Sequence, residues 1–588
     1  MRTFDAEDAL ARVPLPTLAE SCARFLDWCA PLLTPDELAR TRAAVAAFVA
    51  PGGAGERLHA ELVRYDALPG VQSWLDTFWA DRYLGRRDRI ALNANFFFLF
   101  EDSRLGQVDR AAALVEQVLG YKARIDDETL PPARHGGEPL SMVQHRHLFS
   151  STRIPGVDRD RARTPYSDAH PGPSRARHVV VLLRGNVFRL DVIGSDGRPR
   201  TRAEIAAGLR AVQAAAGPGD GVGALTTMAR ADWARAREAL RDHDPANAAA
   251  LETVESALFC VCLQDEVPES PLAACDALLA GNSADRWFDT AVSLIVFGDG
   301  TAGYNGEHCN LDGTTVIALL DEVLAGSAAL APAPVADTVP EFAAVPWVLD
   351  DRLRATVTDA AKAFADHAAA TATTTVRIDF GSDRAKALGI SPDAFAQLAF
   401  QVAHHRATGR VGATYESIAT RHFRHGRTEA MRVVTPEIVA FTAAMADPAV
   451  PAVARRDALT AAADAHVRRV RECRAGRAPE QHLWELQMIA TRRGEPAPAL
   501  FDSPGWRILR DDRLSTSSVP SPHVRFWGFG STGAQCIGVG YALMPSRFDL
   551  YLSTPRAVAA TMAAFAAELP RAVAQMESLL ADEGDDRG

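Results

Sequence analysis

Strand-like and helix-like segments alternate on both sides of residues 329–346, a stretch rich in proline and alanine. In the first half, apolar residues recur with helical spacing over 38–48 and 109–119, while two apolar runs at 179–183 and 187–192 predict a β-hairpin. The other elements that the pattern predicts are a strand at 287–297, helices at 351–369, 393–406 and 436–472, strands at 374–380 and between 524 and 552, and a closing helix at 555–580.

This mixture of strands and helices in both halves predicts an α/β fold. We expect two domains, 1–345 and 346–588, with the first ~90 residues helical and able to pack on the other domain. An interface between two such domains is a favoured place for a ligand site.

The composition excludes several classes of function. Acidic residues number 74 and Lys plus Arg 63, and the resulting net charge of −11 argues against a nucleic-acid-binding protein. The eight cysteines have no zinc-ligand spacing, so we expect no metal site and reduced thiols, which are typical of a cytoplasmic protein. The first residues lack the basic and apolar regions of a signal peptide, and no apolar window approaches about 18 residues, so no membrane span is predicted.

The segment 305–313 has the sequence NGEHCNLDG and contains a candidate general base, His308. Imidazole suits this role near neutral pH because its ordinary pKa is about 6.5. Asp312, followed by Gly313, can fix the local backbone that orients the ring. The chain has 16 histidines, however, so this spacing also arises by chance, and a structural histidine is the alternative.

Two segments near the C-terminus carry further candidates. The run 514–520, LSTSSVP, could donate hydroxyl hydrogen bonds to a developing oxyanion, and an ordinary Ser/Thr turn is the alternative. The segment 528–533 matches the dinucleotide fingerprint GxGxxG, but the residues after it predict a strand rather than a helix. A bound pyrophosphate would then lack a helix N-terminus, so we exclude a nucleotide site there.

Short segments with distinctive residues follow one another along most of the chain. They are 83–84 (YL), 92–95 (LNAN), 139–142 (PLSM), 148–155 (LFSSTRIP), 223–227 (GALTT) with Trp233, 286–289 (RWFD), 307–313 (EHCNLDG), 391–395 (SPDAF), 413–417 (ATYES), 426–428 (GRT), 482–483 (HL) and 514–517 (LSTS). In order and spacing these segments resemble the choline/carnitine O-acyltransferase family, carnitine acetyltransferase in particular.

The resemblance implies two similar α/β domains of the chloramphenicol-acetyltransferase kind, with the active-site tunnel at their interface. It implies that His308 deprotonates the acceptor hydroxyl, or the CoA thiol in reverse, for direct transfer without an acyl-enzyme. Ser517 would lie near the acceptor oxygen and the tetrahedral intermediate, and Asp312 stands where the family has a carboxylate that orients the histidine.

On the CoA side the resemblance is partial. Family members usually meet the nucleotide phosphates with two lysines four residues apart; here the second is Lys386, one of three lysines in the chain, and the first position is Ser382. Arg384 could supply the missing charge, and Asp393 and Ser417 match positions that contact CoA. The loss of one phosphate partner leaves an acyl-carrier protein open as an alternative donor.

The acceptor side departs further from the family. Carnitine enzymes have an arginine immediately before the His-Leu pair, where this chain has Gln481. A neutral amide cannot replace a bidentate charged pair with a carboxylate, so we expect an alcohol without a carboxylate, choline-like or more specialised. The other matching acceptor positions are Tyr415, Thr428, Ser515 and Phe529, the last of which matches an aromatic residue that packs on a trimethylammonium group.

Trp527 stands where medium-chain relatives have glycine and short-chain ones methionine, so its indole predicts a short acyl group such as acetyl. The leading hypothesis is an O-acyltransferase that uses acyl-CoA as a substrate, acts on a small alcohol and has no permanently bound cofactor. The alternatives are a transferase that takes its acyl group from an acyl-carrier protein, and a catalytically degenerate CoA-binding or scaffold protein. We expect a monomer without a nucleic-acid partner.

Overall fold

The computed structural model describes residues 2–167 and 170–581. The chain forms two compact units, each made of strands and helices. The first unit comprises Met1–Ala9, Ala80–Thr371 and Ser521–Gly530, and the second comprises Leu10–Trp79, Ala372–Pro520 and Ser531–Gly588. Each unit therefore takes most of its residues from one half of the sequence and shorter segments from the other.

The helices, numbered along the chain, are α1 Leu18–Cys29, α2 Pro35–Val49, α3 Ala54–Asp66, α4 Asp76–Leu84, α5 Gln107–Asp126, α6 Arg202–Ala215, α7 Arg230–His243, α8 Pro245–Ser256, α9 Pro271–Leu279, α10 Gly313–Ser327, α11 Asp351–Ala369, α12 Ser382–Ala387, α13 Pro392–Thr408, α14 Pro436–Ala446, α15 Ala452–Arg474, α16 Glu480–Arg492, α17 Pro504–Ile508 and α18 Ala559–Ala581. Several begin at a side-chain cap: Thr34 and Glu37 form a capping box at α2, and Ser391 caps α13 before its Pro392.

The strands are β1 Phe96–Phe100, β2 Arg134–His135, β3 Glu138–Pro139, β4 Thr152–Ile154, β5 Arg161–Arg163, β6 Tyr166–Ser167, β7 His170–Pro171, β8 His178–Leu183, β9 Asn186–Asp191, β10 Cys260–Leu263, β11 Ser293–Val296, β12 Ala302–Gly306, β13 Phe342–Ala344, β14 Thr371–Ile378, β15 Thr414–Ala419, β16 Thr428–Arg432, β17 Leu514–Ser518, β18 Val524–Phe529, β19 Ile537–Leu543 and β20 Phe548–Pro555.

The main sheet of the first unit has the order β13-β9-β8-β10-β11-β12-β1-β18. Strand β10 runs parallel to β8 and β11, and the remaining pairs are antiparallel. Strand β8 is buried along its whole length, which agrees with the apolar run VVVLL that follows His178. In this sheet β1 lies between β12 and β18, although β18 begins 218 positions after β12 ends.

The main sheet of the second unit has the order β14-β20-β19-β17-β15-β16. Strands β15, β17 and β19 are parallel, while β16 is antiparallel to β15 and β20 is antiparallel to β19. Helix α13, which is almost continuously buried, packs against α18. The apolar residues of the N-terminal helices α1 to α3 belong to the same core.

The predicted α/β class, with two such units, is confirmed, and so are the hairpin and most of the predicted helices. The predicted strand at 287–297 is too long, because only Ser293–Val296 pair in the sheet. The residues before it bond elsewhere: the Asp289 carbonyl accepts the Arg153 N–H at 2.8 Å. The predicted helix at 436–472 is two helices, since Pro448 and Pro451 occupy the break.

By length and composition alone, one helix among the described residues, Arg556–Ala581, is apolar enough to cross a membrane. Its buried side chains Phe565, Leu569 and Met576 belong to the core of the second unit. Because a core helix passes the same test, the absence of a membrane span stays a prediction.

Candidate active site

His308 lies in the short loop between β12 and α10 in the first unit. Its ring centroid is 5.1 Å from that of Tyr83 and 5.2 Å from that of Phe96, which contacts it by an edge. The strand that leads into the loop ends at Gly306. A Cβ at this position would lie only 1.7 Å from the Tyr304 hydroxyl, so a larger residue would clash there. The side chain of His308 is 28% exposed, so the ring is held between aromatic neighbours yet reachable from outside.

The hydrogen bond of the imidazole fixes its tautomer. Nδ1 of His308 contacts the backbone carbonyl of Leu311. Because a carbonyl oxygen only accepts hydrogen bonds, Nδ1 must carry the proton and Nε2 carries the lone pair of the neutral ring. The loop itself therefore leaves Nε2 as the basic nitrogen.

Asp312 is held by a buried glutamine, Gln144. Oδ2 of Asp312 accepts a hydrogen bond from Gln144 Nε2 at 2.6 Å. The backbone N–H of Asp312 donates to Gln144 Oε1 at 2.9 Å. The hydroxyl of Thr315 donates to the same amide oxygen at 2.8 Å. Oδ1 of Asp312 lies 3.8 Å from Nδ1 of His308, so the carboxylate stands close to the ring while the Leu311 carbonyl takes the hydrogen bond.

Gln144 was not among the residues predicted for the site. It lies two positions beyond the 139–142 segment, and nothing in its neighbourhood distinguishes it from a surface amide. Only the fold reveals its role, because 168 residues separate it from Asp312.

A buried network of charges reaches the same loop through Arg153, whose Nη1 lies 3.0 Å from Glu307. Arg153 and Arg230 both bond Asp160, and Arg230 also bonds Asp289. Burial acts to raise the pKa of Asp160, but the charges of Arg230 and Arg153 outweigh it, and the pKa lies below its ordinary value. Burial raises the pKa of Asp289, against the pull of Arg230. The network links residues 153, 160, 230 and 289, and among the two arginines it is Arg153 that also bonds Glu307.

Trp527 and Phe529 occupy alternate positions on β18, so they share one face of the sheet. Trp527 pairs with Phe98 and Phe529 pairs with Phe96 on β1. The ring centroid of Trp527 is 6.0 Å from that of Phe98 and 5.9 Å from that of Phe529. Trp527 is only 4% exposed. Phe98, Trp527 and Phe529 thus form an aromatic face of the sheet, and Phe96 lies between this aromatic face and the His308 ring.

The predicted acceptor residues of the second unit form two pairs. Tyr415 on β15 is in register with Ser515 on β17. Gln481, at the start of α16, donates from Nε2 to the Thr428 carbonyl at 2.8 Å. Since the amide nitrogen makes this bond, the amide oxygen Oε1 is left for other contacts. Oε1 is buried and has no hydrogen-bond partner within residues 2–167 and 170–581. Ser517 follows on β17, in register with Gly540.

The predicted CoA residues lie on α12, α13 and β15. Nζ of Lys386 lies 3.5 Å from Asp383, and its side chain is 64% exposed. Nε of Arg384 donates to Glu577 at 2.6 Å, so this guanidinium already has an acidic partner. Ser382 begins α12, and its backbone N–H donates to the Met544 carbonyl at 2.8 Å. Ser417 on β15 is in register with Ala430.

Asp393, in the first turn of α13, belongs to a polar cluster with Glu416 and His466 that the sequence did not reveal. The three side chains bring one ligand atom each to within 4.8 Å of one another, a donor set that a divalent metal ion accepts. His466 Nε2 and Glu416 Oε2 are 2.9 Å apart, and the Tyr541 hydroxyl donates to Asp393 at 2.6 Å. Burial, followed by the charge of Asp393, raises the pKa of Glu416 well above its ordinary value. Hydrogen bonds thus join His466 to Glu416 and Tyr541 to Asp393 in this cluster.

The family model for choline/carnitine O-acyltransferases matches residues 13–571. Carnitine O-acetyltransferase of Rattus norvegicus is 31% identical over 98% of this chain and 94% of its own length. Peroxisomal carnitine O-octanoyltransferase of Rattus norvegicus is 33% identical over 86% of this chain and 84% of its own. Among solved structures, the condensation domain of the monacolin K polyketide synthase MokA is 10% identical with a TM-score of 0.35, covering 84% of this chain and 95% of that one. That structural likeness is too low to bear on function. By the family model and these curated relatives, the chain belongs to the choline/carnitine O-acyltransferase family and is an acyltransferase.

Proposed function

We propose that the protein moves a short acyl group between CoA and the hydroxyl of a small alcohol, with His308 as the general base. The observation that carries this proposal is the contact of His308 Nδ1 with the Leu311 carbonyl, which leaves the lone pair on Nε2. A base with this geometry needs no proton transfer within the protein before it acts.

In the proposed reaction, Nε2 of His308 takes the proton of the acceptor hydroxyl as its oxygen attacks the thioester carbon. The tetrahedral intermediate then collapses, the carbon–sulfur bond breaks, and the CoA thiolate takes the proton back from the imidazolium. Asp312, 3.8 Å from Nδ1, stabilises that imidazolium. Ser517 is the proposed hydrogen-bond donor to the intermediate, a role whose loss typically slows a reaction by ~10²–10³.

The acyl group is proposed to be short because of Trp527. Relatives of similar identity are named for acetyl and for octanoyl transfer, so overall similarity does not decide chain length. Trp527 is buried against Phe98 and Phe529 on the aromatic face. A filled face of this kind leaves little room for a long acyl chain.

The acceptor is proposed to lack a carboxylate. Gln481 is buried and neutral, and its amide is tied to the Thr428 carbonyl. A carboxylate placed there would lose water without gaining a charged partner.

One observation favours an acyl-carrier protein as a second candidate donor. Ser382 stands where the family has a lysine, and the two cations beside it both have acidic partners: Arg384 bonds Glu577 at 2.6 Å, and Lys386 lies 3.5 Å from Asp383. Few cations are then available to bind the nucleotide phosphates of CoA. An acyl-carrier protein presents its pantetheine arm without those phosphates, so this deficit favours it as a donor.

Thiol release from acetyl-CoA in the presence of a panel of small alcohols tests the proposal. We expect one or more alcohols without a carboxylate to be acetylated, and we expect initial rates to show a ternary complex rather than ping-pong kinetics. Repeating the assay with the acetyl group on an acyl-carrier protein separates the two donors by kcat/KM. Absence of transfer with either donor, together with tight CoA binding, would instead support a degenerate binding protein.

We also propose a cytoplasmic location and a monomeric state. All eight cysteines lie in the described part of the chain, where they are buried and none forms a disulfide, which suits a compartment that keeps thiols reduced.

A further inference from the structure

The guanidinium of Arg153 is fully buried, and each of its nitrogens has a different partner. Nε donates to Asp160 at 2.6 Å, and Nη1 donates to Glu307 at 3.0 Å. Nη2 donates to the backbone carbonyl of Tyr83 at 2.6 Å. This planar fork therefore joins three segments that are far apart in sequence.

Two of these partners lead directly to His308. Glu307 precedes it in the chain, and the second oxygen of Glu307 accepts the backbone N–H of Cys309, the residue after it, at 2.9 Å. The ring of Tyr83 packs against the imidazole, with centroids 5.1 Å apart. Arg153 thus fixes the backbone on both sides of the histidine and one wall of its site.

We propose that Arg153 is a positioning residue that sets the place and angle of the His308 imidazole through Glu307 and Tyr83. This inference rests on the proposed function, in which His308 is the base. A displacement of about 1 Å in a reacting group costs ~10²-fold in rate, so loss of the fork lowers kcat more than it changes KM. Lysine keeps the charge but supplies a single point of contact, so Arg153→Lys removes the geometry while leaving a cation in place.

Arg230 provides a matched control. It is equally buried, donates to the same Asp160 oxygen at 2.7 Å, and donates to Asp289 at 2.7 Å. Its remaining nitrogen, Nη2, has no partner in the described part of the chain, so Arg230 does not bond Glu307 or Tyr83. Arg230→Lys therefore disturbs the same charge network without loosening the histidine loop.

The experiment compares Arg153→Lys, Arg230→Lys and His308→Gln in the full chain. It measures the melting temperature, kcat and KM for the accepted alcohol, and the ¹⁵N resonances of the His308 ring. We expect the two lysine variants to lose similar thermal stability. We expect only Arg153→Lys to lose ~10²-fold in kcat, with KM changed by less than about threefold. In its spectrum both ring tautomers should appear, whereas the wild type and Arg230→Lys should show Nδ1 protonated.

The outcomes separate the inference from the function on which it rests. If His308→Gln keeps near-wild-type turnover, the proposed function is wrong. If His308→Gln is inactive while the two lysine variants match in kcat and in tautomer, the positioning role alone is wrong. Should Arg153→Lys not fold, Glu307→Gln decides the question, because it keeps an acceptor for the Cys309 N–H but removes the charge that Arg153 binds; wild-type kcat and tautomer in that variant would overturn the inference.

Discussion

The backbone carbonyl of Leu311 decides which nitrogen of His308 can act as a base. Its contact with Nδ1 leaves the lone pair on Nε2, and in the proposed reaction the nearby Asp312 stabilises the protonated ring. Gln144 holds Asp312 by two hydrogen bonds, since it donates to the carboxylate and accepts from the backbone N–H. At the scale of single residues, the site is a histidine whose tautomer is fixed by its own loop.

A second residue-scale feature is the buried amide of Gln481, which we propose sets the choice of acceptor. In Gln481→Arg, a guanidinium near the Thr428 carbonyl should bind a carboxylate, so acetyl transfer to carnitine should rise by at least about tenfold in kcat/KM. The matched control is Gln401→Arg, since Gln401 is also buried, donates from Nε2 and has an unpartnered Oε1 among the described residues. Thiol release with carnitine measures the effect. An equal response of the two variants, or none, would mean that Gln481 does not select the acceptor.

At the scale of elements, the register of β18 against β1 determines which side chains line the aromatic face beside His308. Trp527 pairs with Phe98 and Phe529 pairs with Phe96, so a smaller residue at one position of β18 would open space on the aromatic face. The sequence predicted a strand here and assigned Trp527 a role. It could not predict the pairing with β1, because strand partners more than 400 residues apart leave no local pattern.

Trp527→Gly should shift the acyl preference towards longer chains, because removing the indole opens the face that it fills. We expect the ratio of octanoyl-CoA to acetyl-CoA kcat/KM to rise about tenfold or more. Trp287→Gly is the control, since Trp287 is buried in the same unit and packs on Trp233 and Trp347 instead. If the ratio is unchanged in Trp527→Gly, or rises equally in the control, Trp527 does not limit chain length.

At the scale of the whole molecule, each of the two units is built from three separate segments of the chain. The second unit includes the helices of residues 10–79, and His482 on α16 bonds two of them, through Ser21 at 2.7 Å and His59 at 3.0 Å. The sequence predicted the α/β class and the helices from local periodicity. It also predicted that the N-terminal helices could pack on the other domain. It did not predict the bonds of His482 or the Asp393–Glu416–His466 cluster, since each depends on segments that meet only in the folded chain.

The buried His482 makes the stability of the second unit sensitive to acid. Burial, with a smaller effect from His59, lowers its pKa to about 3. The unfolded chain, with a histidine pKa of about 6.5, therefore binds more protons between these two values. The stability that neutral His482 confers is fully present above about pH 6.5 and falls by about 1.4 kcal/mol per pH unit below it.

Urea unfolding at pH 7 and pH 5.5 measures this dependence. In His482→Gln, the loss of unfolding free energy between the two values should be smaller than in the wild type by about the contribution of one histidine. His405→Gln is a suitable control because His405 is only partly buried, at the end of α13. An identical pH dependence in the wild type and His482→Gln would contradict the account of this contact.

The most direct test of the central claim is the turnover of His308→Gln, measured as thiol release from the accepted acyl donor with a saturating alcohol. Glutamine keeps the size and polarity of the side chain but cannot take a proton, so kcat should fall by at least ~10³-fold while the melting temperature stays near that of the wild type. A folded His308→Gln variant that retains turnover within about tenfold of the wild type would show that this imidazole is not the base.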